Sequence, residues 1–371
     1  MIRTCSLAFS LLTATLAAQN TGVAFDATVD GYIEVPYSAQ VIPQSGITLE
    51  AWITYDESTL PTGWRFPTIA RQGISASSEN YMLRVDADNS NQRELRWKVT
   101  GQNGSSVIVN YLFAPGEFLV WTHVAGTYDG NTAALYVNGV QVASGAGTGQ
   151  PIRDGVDVLR IGKGSDVATP IEVWNGEIDE VRLWPFARSA EDIQKSMYME
   201  LTSVPGYVST WNLNNDFLDS SGGQHATSSG QAVFTTNTLA LTAPTLAFGL
   251  PQGASTPGCL GDILLCPSGP SVDNYNDFRV VATRVPPGTL TLWGASGGTS
   301  PAALPLLGVD IWLNPIGLVV VGNTSDVLGS ASANLPIPAG LAGFTFGIQC
   351  IAVDPCGTQG FTASDAMIVV I

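Results

Sequence analysis

Apolar and polar positions alternate in short stretches along this chain, and Gly, Pro, Asn and Asp interrupt the alternation at close intervals. Leu95, Trp97 and Val99 alternate with Arg96 and Lys98, which puts the apolar set on a buried face of a strand and the cations on the other. Similar runs predict strands at Gly31 to Val35, Ile47 to Thr54, Tyr81 to Asp86, Glu94 to Thr100, Val107 to Phe113 and Val158 to Ile161. Trp121 to Tyr128 reads as a strand, Asp129 and Gly130 as a turn, and Ala133 to Val137 as the next strand. Asn138 and Gly139 both tolerate the positive φ of a type I′ turn, so Leu135 to Val137 should pair back onto Val140 to Val142. Ser189 followed by Glu191 and Asp192 predicts the cap and first turn of one short helix.

Many short strands with alternating faces imply an all-β chain, with two antiparallel sheets packed as a sandwich. A second series, Phe278 to Val285, Thr289 to Gly294, Leu318 to Val321, Gly343 to Val353 and Ala366 to Ile371, predicts a second, smaller β-sandwich. Between the two series, residues 241–258 lack charge and periodicity and carry three prolines and three glycines, as a linker does. The expected organisation is a signal peptide over 1–18, a first domain over 19–240, a linker over 241–258 and a second domain over 259–371. The signal peptide is read from Arg3, the apolar stretch Leu7 to Leu16 and the small residues Ala17 and Ala18. No later run is long and apolar enough for a transmembrane helix, so a secreted or cell-surface location is expected.

With 371 residues, the chain is long enough for two cores. Its formal net charge of -16 argues against nucleic acid as a partner. Cys259, Cys266, Cys350 and Cys356 form an even, clustered set, which in an exported protein points to disulfides. Three connectivities exist, and the two local loops, Cys259 with Cys266 and Cys350 with Cys356, are the expected pairing. The spacings are wider than those of a zinc knuckle and no histidine lies nearby.

Three ordered segments carry a family resemblance. Phe25 and Asp26 with Gly31 to Pro36 and Ile47 to Ile53 open it, Trp121 to Gly130 with Leu135 to Gly139 form its middle, and Gly176 to Trp184 with Ala187 to Ile193 close it. Together they resemble a LamG-like jelly roll of the concanavalin-A-like lectin and glucanase superfamily, over roughly residues 20 to 240. Trp211 to Leu213 with Asp219 to Gly223 is similar to a segment that such domains carry before the first motif, and here it follows the helix. The C-terminal region resembles a small sandwich appended to secreted bacterial proteins.

The resemblance implies a structural calcium, held by an Asp at the start of the last strand and by oxygens of an N-terminal loop. On this chain the ligands would be Asp179, Asp26 and Asp30. If residues 179 to 183 alternate, Asp179 shares a face with Val181 and Leu183 and needs a partner there. Retaining β-glucanases of the superfamily use a Glu-x-Asp-x-x-Glu strand; this chain has Glu177 and Asp179 but Arg182 in the last place, so no catalytic residue is assigned. His123 is expected to be a packed histidine and His225 a loop residue. Trp64 and Trp174, in loop contexts, are the candidates for stacking on a sugar. The expected function is a non-enzymatic recognition or adhesion protein that binds an extracellular glycan or glycoprotein; the alternative is a purely structural surface or matrix protein.

Overall fold

The computed structural model describes residues 20–371 apart from 59, 61–64, 88–92, 167–171, 207, 243–248 and 273. Two large antiparallel sheets make the first sandwich. One runs in the order Val140–Ala146, Thr132–Val137, Thr122–Tyr128, Ile47–Ile53, Gly176–Trp184, Thr21–Phe25 and Val233–Thr236. The other runs Thr227–Gly230, Gly31–Val35, Leu159–Ile161, Thr68–Gln72, Tyr81–Ala87, Arg93–Thr100 and Ser106–Leu112. Ile33, Val35, Leu83, Leu95 and Trp97 from the second sheet meet Leu49, Ala51, Val124, Leu135 and Ile178 from the first in one core. Trp97 is fully buried and donates its indole N–H to the Thr127 carbonyl at 3.0 Å. Gly126 makes room for it, because a Cβ there would lie 2.3 Å from the indole ring.

The local signals hold. Asn138 and Gly139 have φ of 49° and 73°, and Val140 and Gln141 pair with Val137 and Tyr136. The helix Ala190–Ser196 is capped by Ser189, with Asp192 returning the bond to the cap N–H. The displaced Trp211 segment keeps a place beside the last strand: Ser209–Trp211 pairs with Val181 to Leu183, while Thr21–Phe25 pairs with the other end of the same strand.

The second sandwich packs a six-stranded sheet, ordered Leu250–Gln252, Ala366–Val370, Thr345–Thr358, Leu290–Ser296 and Val319–Thr324 with Phe361–Ala363 attached, against the three strands Leu264–Pro267, Arg279–Thr283 and Ala331–Asn334. Phe278, Val280, Trp293, Ile348 and Met367 form its core. A two-stranded sheet, Thr299–Leu306 with Val309–Leu313, lies beside it. Two expectations are corrected here. Leu250 to Gln252 pair with Ala366 to Ile368, and Thr256 bridges Ala363, so residues 250–258 are part of the second domain and not linker. Pro251 is compatible with that strand because an edge position spares its missing N–H.

The disulfide pairing is the second correction. Cys259 joins Cys356, not Cys266, and Cys266 and Cys350 are free and buried. Cys266 sits on a strand in an apolar cluster shared with Trp184 and Phe186 of the first domain, whereas Cys350 points into the second core. Buried Asp354 accepts from the backbone N–H of Cys259 at 3.0 Å and of Cys356 at 2.9 Å, which brings the two ends together.

Candidate functional site

The last strand of the first sandwich is not regularly alternating. Its register against Ile47–Ile53 shifts between Asp179 and Arg182, and Glu180 has φ of 50°, so an extra residue bulges there. Ile178, Val181 and Leu183 therefore face the core, while Asp179 and Arg182 lie opposite, Arg182 beneath the helix and Asp179 beside Asn20 and Asn237. This corrects the expectation that Asp179 shares a face with Val181 and Leu183.

Asp179 is fully buried, and three amides donate to it: Asn20 Nδ2 at 3.0 Å, Asn237 Nδ2 at 2.9 Å and the Glu180 N–H at 2.8 Å. Burial pushes its carboxyl up to about 7. Asp26 and Asp30 do not reach it. Asp26 is exposed and holds Thr28 in a turn, and exposed Asp30 lies 2.7 Å from the Lys163 ammonium. Among the described residues the one convergent cluster with metal-ligating atoms is Cys259, Asp354 and Cys356, whose sulfurs are bonded to each other. Asp26, Asp30 and Asp179 thus do not fit a shared calcium: the acids are apart, and a lysine already neutralises Asp30.

The acids of the glucanase-like strand are also committed elsewhere. Glu177 Oε1 accepts from Thr235 Oγ1 at 2.7 Å. Arg182, fully buried, donates to the Ser196 carbonyl at 3.0 Å, to Glu180 Oε2 at 2.7 Å and to the Met199 carbonyl. It is a strut between sheet and helix. Beside it, buried Glu50 accepts from Trp184 Nε1 at 2.9 Å and Arg188 at 2.9 Å, and Arg188 continues to the Ser268 carbonyl of the second domain. His123 is buried next to Glu50, and desolvation lowers its pKa to about 4, so it is a neutral packed histidine at neutral pH, as expected. His225 Nδ1 accepts from the Asp219 N–H in a loop.

Trp174 is corrected as well. It is fully buried, donates to the Thr54 carbonyl at 3.0 Å and packs on Tyr55 with ring centroids 4.9 Å apart. Trp64 lies outside the described residues.

The outer face of the seven-stranded sheet is different in kind. Strand register places Glu34, Arg160, Arg71, Met82, Lys98 and Ile108 in one row across it, with Arg84, Arg96 and Asn110 in the next. Arg71 is clamped between Glu79 at 3.3 Å and Glu172 at 3.2 Å. Arg84 reaches Asp86 at 2.5 Å, Arg96 reaches Asp86 and Glu94, and Lys98 reaches Glu79 at 2.5 Å. Arg84 and Arg160 lie 4.4 and 4.5 Å over the rings of Phe66 and Tyr32. Arg96 and Lys98 keep 22% and 25% of their side chains in solvent, and Asn110 is exposed beside them. The face therefore carries fixed donors and acceptors of both signs against aromatic rings. Its sequence signal is the polar half of the strand alternation that predicts the core, most plainly Arg96 and Lys98 between Leu95, Trp97 and Val99.

The chain is similar to several known proteins. Residues 26–194 match a laminin-G-type family model described as Concanavalin A-like lectin/glucanases superfamily. Pappalysin-1 of Mus musculus is 36% identical over 89 residues, which span 23% of this chain and 5% of that protein. A solved putative carbohydrate binding protein from Bacteroides ovatus ATCC 8483 is similar at TM-score 0.45 and 21% identity, over 61% of this chain and 62% of that one. A heptameric SAP-like pentraxin from Limulus polyphemus is similar at TM-score 0.41 and 13% identity, over 61% of this chain and 99% of that one.

Proposed function

We propose that the Concanavalin A-like domain over residues 26–194 is a non-catalytic recognition module of a secreted protein and binds a glycan on the outer face of its seven-stranded sheet. The observation that carries this reading is the lattice of ion-paired side chains and ring-backed arginines on that face. A sugar offers hydroxyls that both donate and accept, together with apolar C–H faces. Arg84 and Arg96 supply donors, Asp86, Glu94 and Asn110 supply acceptors, and Phe66 and Tyr32 supply rings. Ion pairing holds these side chains in place before the ligand arrives, which lowers the entropy cost of binding. The near balance of cations and carboxylates on the face suits hydroxyls better than phosphates. Export is supported by the Cys259–Cys356 disulfide, a bond that persists in oxidising compartments.

The test is an array of neutral and acidic oligosaccharides probed with the full chain and with Arg96→Ala and Asn110→Ala. The wild type should retain a glycan, and each variant should bind about tenfold more weakly, as expected when one or two sugar hydrogen bonds are lost. A wild type that retains nothing, or variants that bind as well as it does, would overturn the reading.

A further inference from the structure

The second domain carries a groove with the means to bind a polypeptide strand. Val319–Thr324 ends the six-stranded sheet and all six of its residues are exposed; Ala331–Asn334 ends the three-stranded sheet. These two edges flank a groove of about 320 Å³, lined by Trp293, Val319, Val321, Leu335 and Ile348. Among the described residues neither edge has a backbone partner on the groove side, and the gap is crossed by the bond from Asn323 Nδ2 to the Ser332 carbonyl at 3.1 Å. Trp293 is 1% exposed, and its indole N–H has no acceptor. An unsatisfied buried donor is costly, so a carbonyl delivered into the groove would be welcome there.

Edge strands are ordinarily blunted by proline or lysine. Leu250–Gln252, at the opposite end of the same sheet, contains Pro251, and the exposed strand Thr299–Leu306 contains Pro301 and Pro305. Val319–Thr324 has neither device: it contains three consecutive valines, each more than half exposed, and no Lys or Arg follows Arg284 in the chain.

We propose that this groove binds an extended strand of a partner protein, apolar in its middle and flanked by Lys or Arg. Donors and acceptors alternating at strand spacing are matched along their length by another polypeptide backbone, and the pocket accepts its alternate side chains. Charge selects the flanks. From Val285 onward the chain carries four aspartates, of which only Asp354 is fully buried, and no base, so cationic flanks are attracted, whereas a second copy of this chain, with net charge -16, is repelled.

The probe is a synthetic KKVTVTVKK peptide titrated into the full chain, with a version N-methylated at alternate residues and an acidic-flanked EEVTVTVEE as comparisons. The cationic peptide should bind, and both comparisons should bind about tenfold more weakly or not at all. Val321→Lys, at a 54% exposed position that lines the groove, should remove binding while leaving the melting temperature unchanged. Trp293→Phe keeps the ring and loses the donor, for a roughly three- to tenfold loss. Absence of binding, equal binding of the N-methylated peptide, or binding unaffected by Val321→Lys would each overturn the proposal. A dimer in sedimentation that Val321→Lys dissociates would also overturn it, by naming a second copy as the occupant.

Discussion

The carboxylate of Asp179 sits among amides, with Asn20, Asn237 and the Glu180 N–H around it and bulk water excluded. Its folded pKa of about 7 lies above the ordinary value of 3.8, so between those values the folded chain holds a proton that the unfolded chain has released. Stability from this group is full below about pH 4 and is lost as pH rises through about 7. Its share of the slope is up to about 1.4 kcal/mol per pH unit in that window, beside that of buried Glu180, which desolvation raises to about 8, and Asp179→Asn should remove that share and leave the remainder in denaturant titrations run from pH 4 to 8. An unchanged slope in the variant would place the proton elsewhere. A chelator should leave the melting temperature as it was, since Lys163 already neutralises Asp30. Gly126 illustrates the other residue-level constraint: Gly126→Ala drives a methyl into the Trp97 ring and should cost about 1–3 kcal/mol by overpacking. The packed role of Trp97 was legible because alternation reports burial; His123 lies on the opposite face from Val124 and is buried beside Trp52 and Glu50, which alternation does not report. The orientation of Asp179 was not legible, because a bulge at a non-glycine residue leaves no mark on the hydrophobic pattern, and a tryptophan before Asn175 and Gly176 looks like a loop residue until the strand carbonyl of Thr54 is seen to hold it.

At the level of elements, turn chemistry and capping are encoded next to the elements that they end, so the Asn138-Gly139 hairpin and the Ser189 cap follow directly from the sequence. Disulfide pairing is not local in that sense. Cys259 and Cys356 are 97 positions apart and meet because the strand Phe361–Ala363, which bridges Thr256, pairs with Thr345–Thr358, whose Asp354 binds both cysteine amides. Alkylation of the native protein followed by mass spectrometry should find Cys259 and Cys356 joined, with Cys266 and Cys350 reactive only after unfolding. Opening the bond by Cys259→Ser with Cys356→Ser should lower stability by about 2–4 kcal/mol, as for a cross-link closing a long loop. Labelling of Cys266 in the native chain would contradict the burial of its strand.

The two sandwiches are joined by a buried interface as well as by the chain. Trp184 and Phe186 pack with Cys266 and Val281, while Arg188 ties Glu50 to the Ser268 carbonyl and Asp192 binds Tyr275 and Arg279. Arg188→Met leaves Glu50 buried without its closest cation, which typically costs about 3–5 kcal/mol, and calorimetry should show the two domains melting apart. None of this coupling is visible as a motif: Glu50 lies far in sequence from Arg182 and Arg188, and only the fold brings their charges together away from water. The outer sheet face was legible in part, since cations alternate with core residues along its central strands, but its aromatic backing depends on where the loop carrying Phe66 returns. The most direct check is hydrogen exchange on the full chain, with and without the oligosaccharide that it retains on the array. Protection confined to Tyr81–Ala87, Arg93–Thr100 and Ser106–Leu112 is the predicted result; protection at the domain interface or the helix, with those strands unchanged, would contradict the account.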